Sequence, residues 1–484
     1  MTRSIFRSAP WALALVLAGC SMAPKYERPE APIASDWPQL RLSRTLSGTP
    51  GSASSAVQTM AAADIEWQNF FSDPKLRQLI EAALRNNRDL RIAVLNIEQA
   101  RAQFQIRRAD QFPTIGAAVT GSRQPAASGN GGITSVYTAG LAMTSYELDF
   151  FGRVASLKDA ALAQYLATEE GRKTTQIGLI ASVANTYLSL LADEELLAIT
   201  GQTLATREES FKLGQLRFDN GVTSELDLRQ AESLLESARI NMAQLRRQRA
   251  LDENLLTLLI GQPLTGELAL ASPAGMALTS APLMADVPAG LPSDLLTRRP
   301  DIRQAEQQLL AANANIGAAR AAFFPRISLT ASAGSVSNHL SGLFESGTYG
   351  WTLAPQLFLP LFDAGRNRAG LDSANVSRDI AVAQYEKTIQ TAFREVADAL
   401  AGRATLGEQL RAQQAQSSAE AARLKLSDLR FQNGIASQLD VLDAQRALFS
   451  AQQAVTQTRL LQLQNQVTVY KTLGGGWTEA AQPR

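Results

Sequence analysis

With one cysteine and one histidine in 484 residues, the chain cannot hold a disulfide framework or a Cys/His metal site. It also lacks a CxxC pair, an HExxH helix and a phosphate loop ending in Gly-Lys-Ser/Thr, so the usual signatures of redox, metalloprotease and nucleotide chemistry are missing. The lone histidine, His339, falls in a polar loop and reads as a solvated side chain rather than a ligand. Charge of one sign is scarce too: the formal net charge is +1, which leaves nothing to neutralise a nucleic-acid backbone. Aromatic residues make up only 6% of the chain. The long segments are rich in Ala, Gln, Leu and Arg, a mixture suited to narrow, closely spaced helices. Proline is absent between Pro125 and Pro263 and again between Pro360 and Pro483. Because proline breaks helices, these stretches can hold very long ones, and about 60 helical residues span roughly 90 Å.

What is present is a repeat. Arg217-Phe218-Asp219-Asn220-Gly221 returns 213 positions later as Arg430-Phe431-Gln432-Asn433-Gly434, and Gly152-Arg153 returns as Gly365-Arg366. Upstream the offset is 212, linking Asp89-Leu90-Arg91 to Asp301-Ile302-Arg303 and Phe112-Pro113 to Phe324-Pro325. One net insertion over such a distance indicates two copies of one large module. Within the proline-free stretches, Leu228, Ala231, Leu235, Ala238, Met242 and Leu245 step by alternating threes and fours. Val441, Ala444, Leu448, Ala451 and Val455 do the same, followed by Leu460, Leu463, Val467 and Tyr470. The preceding segments carry Ile180, Ala184, Tyr187, Leu191 and Ile389, Phe393, Val396, Leu400. Such a seam predicts coiled-coil hairpins, bent at Asn220-Gly221 and Asn433-Gly434, where both residue types accept a left-handed backbone.

Ahead of each hairpin the period changes to two. Ile115, Ala117 and Val119 alternate with small or polar residues, as do Tyr137, Ala139, Leu141 and Met143. In the second copy Ile327, Leu329, Ala331 and Ala333 alternate likewise, then Tyr349, Trp351, Leu353 and Leu357. Loops at Arg123–Gly132 and Ser335–Thr348 join each pair. Strands of about 9–11 residues with one apolar face fit a membrane barrel. Four strands cannot close one, so copies of the chain must share it, as a dimer, trimer or tetramer. At the amino terminus, Arg3 and Arg7, the apolar stretch Trp11–Ala18 and the run Leu17-Ala18-Gly19-Cys20 form an export signal. The only thiol stands at the cleavage position, which predicts lipidation of Cys20 in preference to an ordinary signal peptide.

In order along the chain, Pro24-Lys25-Tyr26-Glu27-Arg28-Pro29, Trp67–Pro74, Tyr146–Arg153 (YELDFFGR), Arg298–Ile302, Phe323–Pro325, Leu361–Arg366 (LFDAGR) and the two Asn-Gly tips resemble the TolC/OprM-type outer membrane factors of tripartite efflux systems, in their lipoprotein branch. The resemblance implies a mainly α fold with a membrane β-barrel. Long periplasmic helical hairpins would form an α-barrel, and a homotrimer would close a twelve-stranded barrel from four strands per subunit. It divides the chain into a signal peptide (1–19), a lipidated tether and equatorial segment (20–72), a first repeat (73–262, β-hairpin about 114–149, tip near 220), an equatorial linker (263–293), a second repeat (294–473, β-hairpin about 326–360, tip near 433) and a tail (474–484). It further implies no enzymatic activity, no cofactor and no metal. The partners are sister copies, a periplasmic adaptor, an inner-membrane transporter and outer membrane lipid.

The resemblance also assigns sites. Asp440 and Asp443 match an Asp-x-x-Asp at the inner mouth of the tunnel, where repeated carboxylates would form a gate. Asp227 aligns with Asp440, but Gln230 replaces the second acid. The competing reading is that these acids cap or solvate a helix start. Arg217, Phe218, Asn220, Gly221 and Arg430, Phe431, Asn433, Gly434 correspond to the tips that adaptors grip. A type I protein secretion duct would share this architecture, and a pore-less envelope lipoprotein would share the coiled coil.

Overall fold

The computed structural model describes residues 22–34, 37, 64–125, 132–269, 278, 284, 287–288 and 292–477. Cys20, the expected signal peptide, and parts of the expected linker and tail lie outside the described residues. The elements run α1 (Trp67–Phe70), α2 (Pro74–Asn86), α3 (Arg88–Ala109), β1 (Ile115–Pro125), β2 (Ile133–Leu148), α4 (Arg153–Asp219) and α5 (Glu225–Ile260). Then come α6 (Leu295–Arg298), α7 (Pro300–Ala321), β3 (Arg326–Ser337), β4 (Tyr349–Phe358), α8 (Arg366–Gln432) and α9 (Gln438–Thr472). The chain is mostly helical with few strands, and α4 and α8 are each 67 residues long. The described residues fall into two compact units, one drawn from Met1–Ala31, Leu95–Glu169 and Gln304–Lys387, the other from Pro32–Val94, Glu170–Arg303 and Thr388–Arg484.

The first unit holds one antiparallel sheet in the order β1-β2-β3-β4. Directly opposed residues of antiparallel strands share a face, so register decides what each face presents. Ile115 opposes Met143, Met143 opposes Ala331, and Ala331 opposes Leu353. One row further, Ala117, Leu141, Ala333 and Trp351 line up. The apolar positions thus gather on one face, and most of it is bare: Val119 is 76% exposed and Trp351 71%, while Ala139 opposite Val119 is buried. On the other face Ala118, Gly140, Gly334 and Gly350 form a row. A Cβ on Gly140 or Gly334 would collide with the backbone of the facing strand, whereas one on Gly116 would meet nothing. The strands outrun their expected ends: β1 reaches Pro125, β3 reaches Ser337, and β2 is 16 residues long. The extra length of β2 is absorbed by a bulge between Met143 and Tyr146, where Ser145 adopts φ 52 and donates its N–H to Thr330 Oγ1 at 3.3 Å.

Residues 22–31 lie along α7 in the same unit. Arg28 grips Glu306 bidentately at 2.7 and 2.9 Å, and the Tyr26 hydroxyl donates to the same carboxylate at 3.0 Å. The Asn313 amide holds the Pro24 carbonyl at 2.8 Å, and Arg320 reaches the Met22 carbonyl at 3.3 Å.

The second unit is a helical body whose core is locked by a few polar and aromatic contacts. Phe70 stacks on Tyr470 with ring centroids 4.0 Å apart, and Trp37 stacks on Phe393 at 4.9 Å. Asp73 caps α2 by accepting from Lys75 N–H at 2.7 Å and takes the Tyr187 hydroxyl at 3.0 Å. Burial and the Asp73 charge push the Tyr187 hydroxyl up. The nearly buried Arg299 binds Asp301, Glu395 and the Thr472 carbonyl. The segment ahead of the first β-hairpin is two helices, α2 and α3, broken at Asn87. There the Asn87 side chain donates to the Leu259 carbonyl at 2.9 Å and accepts from Leu90 N–H at 2.9 Å. The expected seam also shifts. Val441, Ala444 and Ala451 are buried, but Leu448 and Val455 are only half-buried, and Phe449 and Thr456 are buried instead. Met242 and Leu245 are half-buried likewise. A straight helix drifts about 20° per heptad, so the buried row moves by one position along its length.

Gly334→Ala should separate β2 from β3 at a cost of about 1–3 kcal/mol, read as a lower melting temperature of the detergent-purified protein, while Gly116→Ala should leave it unchanged.

Candidate functional site

The two helix turns of the second unit are built alike, atom for atom. After α4, Gly221 takes φ 70, its N–H donates to the Phe218 carbonyl at 2.9 Å, and Val222 N–H donates to the Arg217 carbonyl at 2.8 Å. After α8, Gly434 takes φ 71, with Gly434 N–H on the Phe431 carbonyl at 3.0 Å and Ile435 N–H on that of Arg430 at 2.8 Å. This pairing ties up the last carbonyls of a helix, and only glycine adopts the left-handed backbone without strain. Asn220 and Asn433 each donate their amide to the carbonyl four residues earlier, both at 2.7 Å. The Arg217 guanidinium lies over the Phe431 ring at 5.2 Å, so the turns touch each other. Around them Leu216, Val222 and Ile435 are each at least 60% exposed.

Each following helix opens on a capping box. Ser224 and Asp227 cap α5, and Ser437 and Asp440 cap α9, each serine accepting from the N–H of its aspartate and each aspartate accepting from the serine. Hydrogen bonds from Ser224 and Thr223 hold the Asp227 carboxyl below the usual carboxylate range, and Ser437 does the same for Asp440. Asp227 and Asp440 therefore have a local structural task. Asp443 does not: it bridges two cations, accepting from Arg423 on α8 at 2.7 Å and from Arg446 at 2.5 Å. Hydrogen bonding to Arg423, ahead of Arg446, keeps its carboxyl low. Asp443 and Arg446 share a cleft of about 270 Å³ with Gln230 and Leu234, so the residue that replaces the second acid in the first copy faces the acid of the second. Sequence reasoning missed Arg423. Nothing in a 67-residue helix says which arginine lies opposite residue 443 until the hairpin is paired. Among the described residues no three His, Cys, Asp or Glu side chains are gathered as a metal ion would require.

A second site lies in the first unit, where strand turns into helix. A pocket of about 700 Å³ is lined by residues of Glu147–Arg153, Phe324–Arg326 and Leu361–Arg366, so three of the motif stretches converge there. Their chemistry is helix initiation. Asp149 accepts from Ala155 N–H at 2.8 Å, and Asp363 accepts from Gly365 and Asn367 N–H groups, both at 2.9 Å. Gly152 and Gly365 supply the positive φ, 71 and 87, that redirects the chain. Glu147 holds Arg153 at 2.6 and 2.7 Å and Arg326 at 2.7 Å, and Phe151 stacks on Phe324 at 4.8 Å.

Bare apolar strands feeding long paired helices, with turn and capping chemistry at the ends, fit a channel protein. The family model for outer membrane efflux protein matches the chain twice, over residues 79–262 and 291–475. The chain is 50% identical to the antibiotic efflux pump outer membrane protein ArpC of Pseudomonas putida, with 99% of this chain and 97% of ArpC covered. It matches the toluene efflux pump outer membrane protein TtgC of Pseudomonas putida equally well, at 50% identity and the same coverage. Among solved structures, the open state of the Neisseria gonorrhoeae MtrE outer membrane channel superposes with a TM-score of 0.83 at 40% identity, covering 96% of this chain and 100% of MtrE. The chain belongs to the outer membrane efflux protein family. It is an outer membrane channel component of an efflux system, a class that works with a periplasmic adaptor and an inner-membrane transporter, and it is not an enzyme.

Ser437→Ala should cost about 1 kcal/mol of local helix stability and speed amide exchange in residues 437–442, and Ser224→Ala should do the same at 224–229. Because the folded carboxyl of Asp440 is held low, this cap is present at neutral pH and is lost as pH falls through that depressed value. Exchange at 437–442 should therefore change in acid and stay level between pH 6 and 8.

Proposed function

We propose that three copies of this chain assemble into the outer membrane duct of an RND-type tripartite pump, each lending four strands to one closed twelve-stranded barrel. The observation that carries this reading is the open sheet. Among the described residues β1 and β4 each have one neighbour, and most of the apolar face is bare, an arrangement that hydrocarbon tolerates only once the edges meet other strands. Closure by sister copies removes both edges, and lipid covers the apolar face. The two repeats, residues 73–262 and 294–473, derive from a duplicated module; matching helix lengths and identical turn chemistry support this.

Anchoring through a lipid on Cys20 is supported by the pinned tether. Met22, two residues on from Cys20, is held at Arg320, six residues before β3 begins. The turns carrying Arg217, Phe218, Asn220 and Gly221, and Arg430, Phe431, Asn433 and Gly434, are the surface offered to the adaptor. Their exposed Leu216, Val222 and Ile435 give it apolar purchase. Asp443 is the gate residue of this duct, latched within its own subunit by Arg423 and Arg446, with Asp440 and Asp227 holding the helix starts beside it. The cargo class is small organic molecules, following the relatives named for toluene and antibiotics.

Native mass spectrometry of the detergent-purified protein should show a trimer carrying lipid, and planar bilayers should show conductance. A lipid-free, water-soluble monomer without conductance would overturn the reading. Arg423→Ala, by releasing Asp443 from α8, should raise single-channel conductance severalfold; unchanged conductance would remove Asp443 from the gate while leaving the duct intact.

A further inference from the structure

The sheet joins the two repeats along one seam inside the chain and leaves the equivalent seam open at its edges. Within the subunit β2, the last strand of the first repeat, pairs antiparallel with β3, the first strand of the second. That pairing runs down to the helix ends, where Tyr146 opposes Leu329 and Leu148 opposes Ile327. All four of these side chains are half-buried. Just beyond them Phe151 stacks on Phe324 at 4.8 Å.

The repeat offsets name the residues that stand in the same places at the two free edges. Adding 213, the offset between Gly152 and Gly365, carries Tyr146 and Leu148 to Leu359 and Leu361. Subtracting 212, the offset between Phe112 and Phe324, carries Leu329 and Ile327 to Ala117 and Ile115. Among the described residues no strand joins these two sets, and β4 stops at Phe358. Leu361 is 91% exposed and Ile115 66%, where their counterparts are half-buried. Phe362 at 91% and Phe112 at 64% are bare in the same two segments. The charge pattern differs as well. Inside the subunit Arg326 donates to Glu147 at 2.7 Å, whereas the matching positions at the edges are Thr114 and Pro360, which carry no charge. Bare apolar groups without an ionic bridge suit a permanent joint between separate chains, whose interfaces resemble a core cut in half.

We propose that residues 359–362 of one copy form a socket for residues 112–117 of the next copy. In this joint Leu361 lies opposite Ile115 and Leu359 opposite Ala117, as Leu148 and Tyr146 lie opposite Ile327 and Leu329 inside each copy. The inference rests on the trimer reading above and adds to it the residues and register of the contact. Both segments sit where strand and helix meet: β1 begins at Ile115 after α3, and β4 leads through residues 359–365 into α8. Antiparallel pairing of β4 with a sister β1 therefore sets the end of one against the start of the other. One socket and one insert per copy make a head-to-tail contact, which closes into a ring with no free edge.

Disulfide trapping in the full-length protein tests this, because Cys20 is the chain's one native cysteine. Directly opposed residues of antiparallel strands have Cα atoms about 4.5–5.5 Å apart, within disulfide reach. Ile115→Cys combined with Leu361→Cys should, on oxidation in the outer membrane, turn most of the protein into covalent dimers and trimers on a denaturing gel without reductant. Either substitution alone should give none above the unsubstituted chain. Leu148→Cys with Ile327→Cys should bond within one copy and keep a single-chain band, which shows that the oxidant reaches this level. Native mass spectrometry of the same samples counts the copies. A trimer that forms the internal bond but none between copies, or a 115–361 bond within one copy, overturns the socket and leaves the trimer reading standing. A monomer overturns both. Should Ile115→Cys with Leu361→Cys not fold, Ala117→Cys with Leu359→Cys decides the matter by the same outcomes.

Discussion

Backbone hydrogen bonding at the two outer strands governs this molecule. A strand in hydrocarbon has no water to satisfy its amides, so every N–H and C=O must find a neighbour within protein. β1 and β4 have one neighbour each, and a single chain has nothing further to offer them among its described residues. The remaining features follow from that shortage. The sheet is four strands of matched apolar rows, suited to meet lipid on one side. The chain leaves it through glycine-directed turns capped by Asp149 and Asp363, so that the sheet's ends feed directly into helices. The tether runs back along α7 to the same level.

The two halves of the chain use the same local chemistry at different ends. Both turns use Asn-Gly and a serine–aspartate capping box, because a reversal between two long helices needs carbonyls and amides satisfied wherever it occurs. Beyond that the copies part. Asp443 is drawn across to Arg423, while its counterpart Gln230 carries no charge. Asp193 sits among helices as a buried acid, while its counterpart Leu406 is apolar. Turn chemistry is shared between the halves of one sequence, and the differences fall where helices face one another.

Features governed by near neighbours could be read from the residues alone. The alternation in Tyr137–Met143 is a local property, as is the Asn433-Gly434 reversal; the structure has a strand at the first and a turn at the second. Features governed by distant partners could not. The break at Asn87 depends on the Leu259 carbonyl 172 residues away, and the Arg423–Asp443 bridge depends on how α8 and α9 align. A regular repeat draws the seam of α9 through Leu448, whereas the helix turns gradually under its neighbours and buries Phe449. Asp440 and Asp443 look equivalent in sequence. Three residues of helix separate a carboxylate that faces its own first turn from one that faces another helix.

The contact between Arg320 and the Met22 carbonyl fixes residue 22 against α7, six residues ahead of β3. With the lipidation proposed for Cys20, an acyl group would be tied two residues from this contact. The contact would then serve as a depth gauge, relating the anchor to the start of β3.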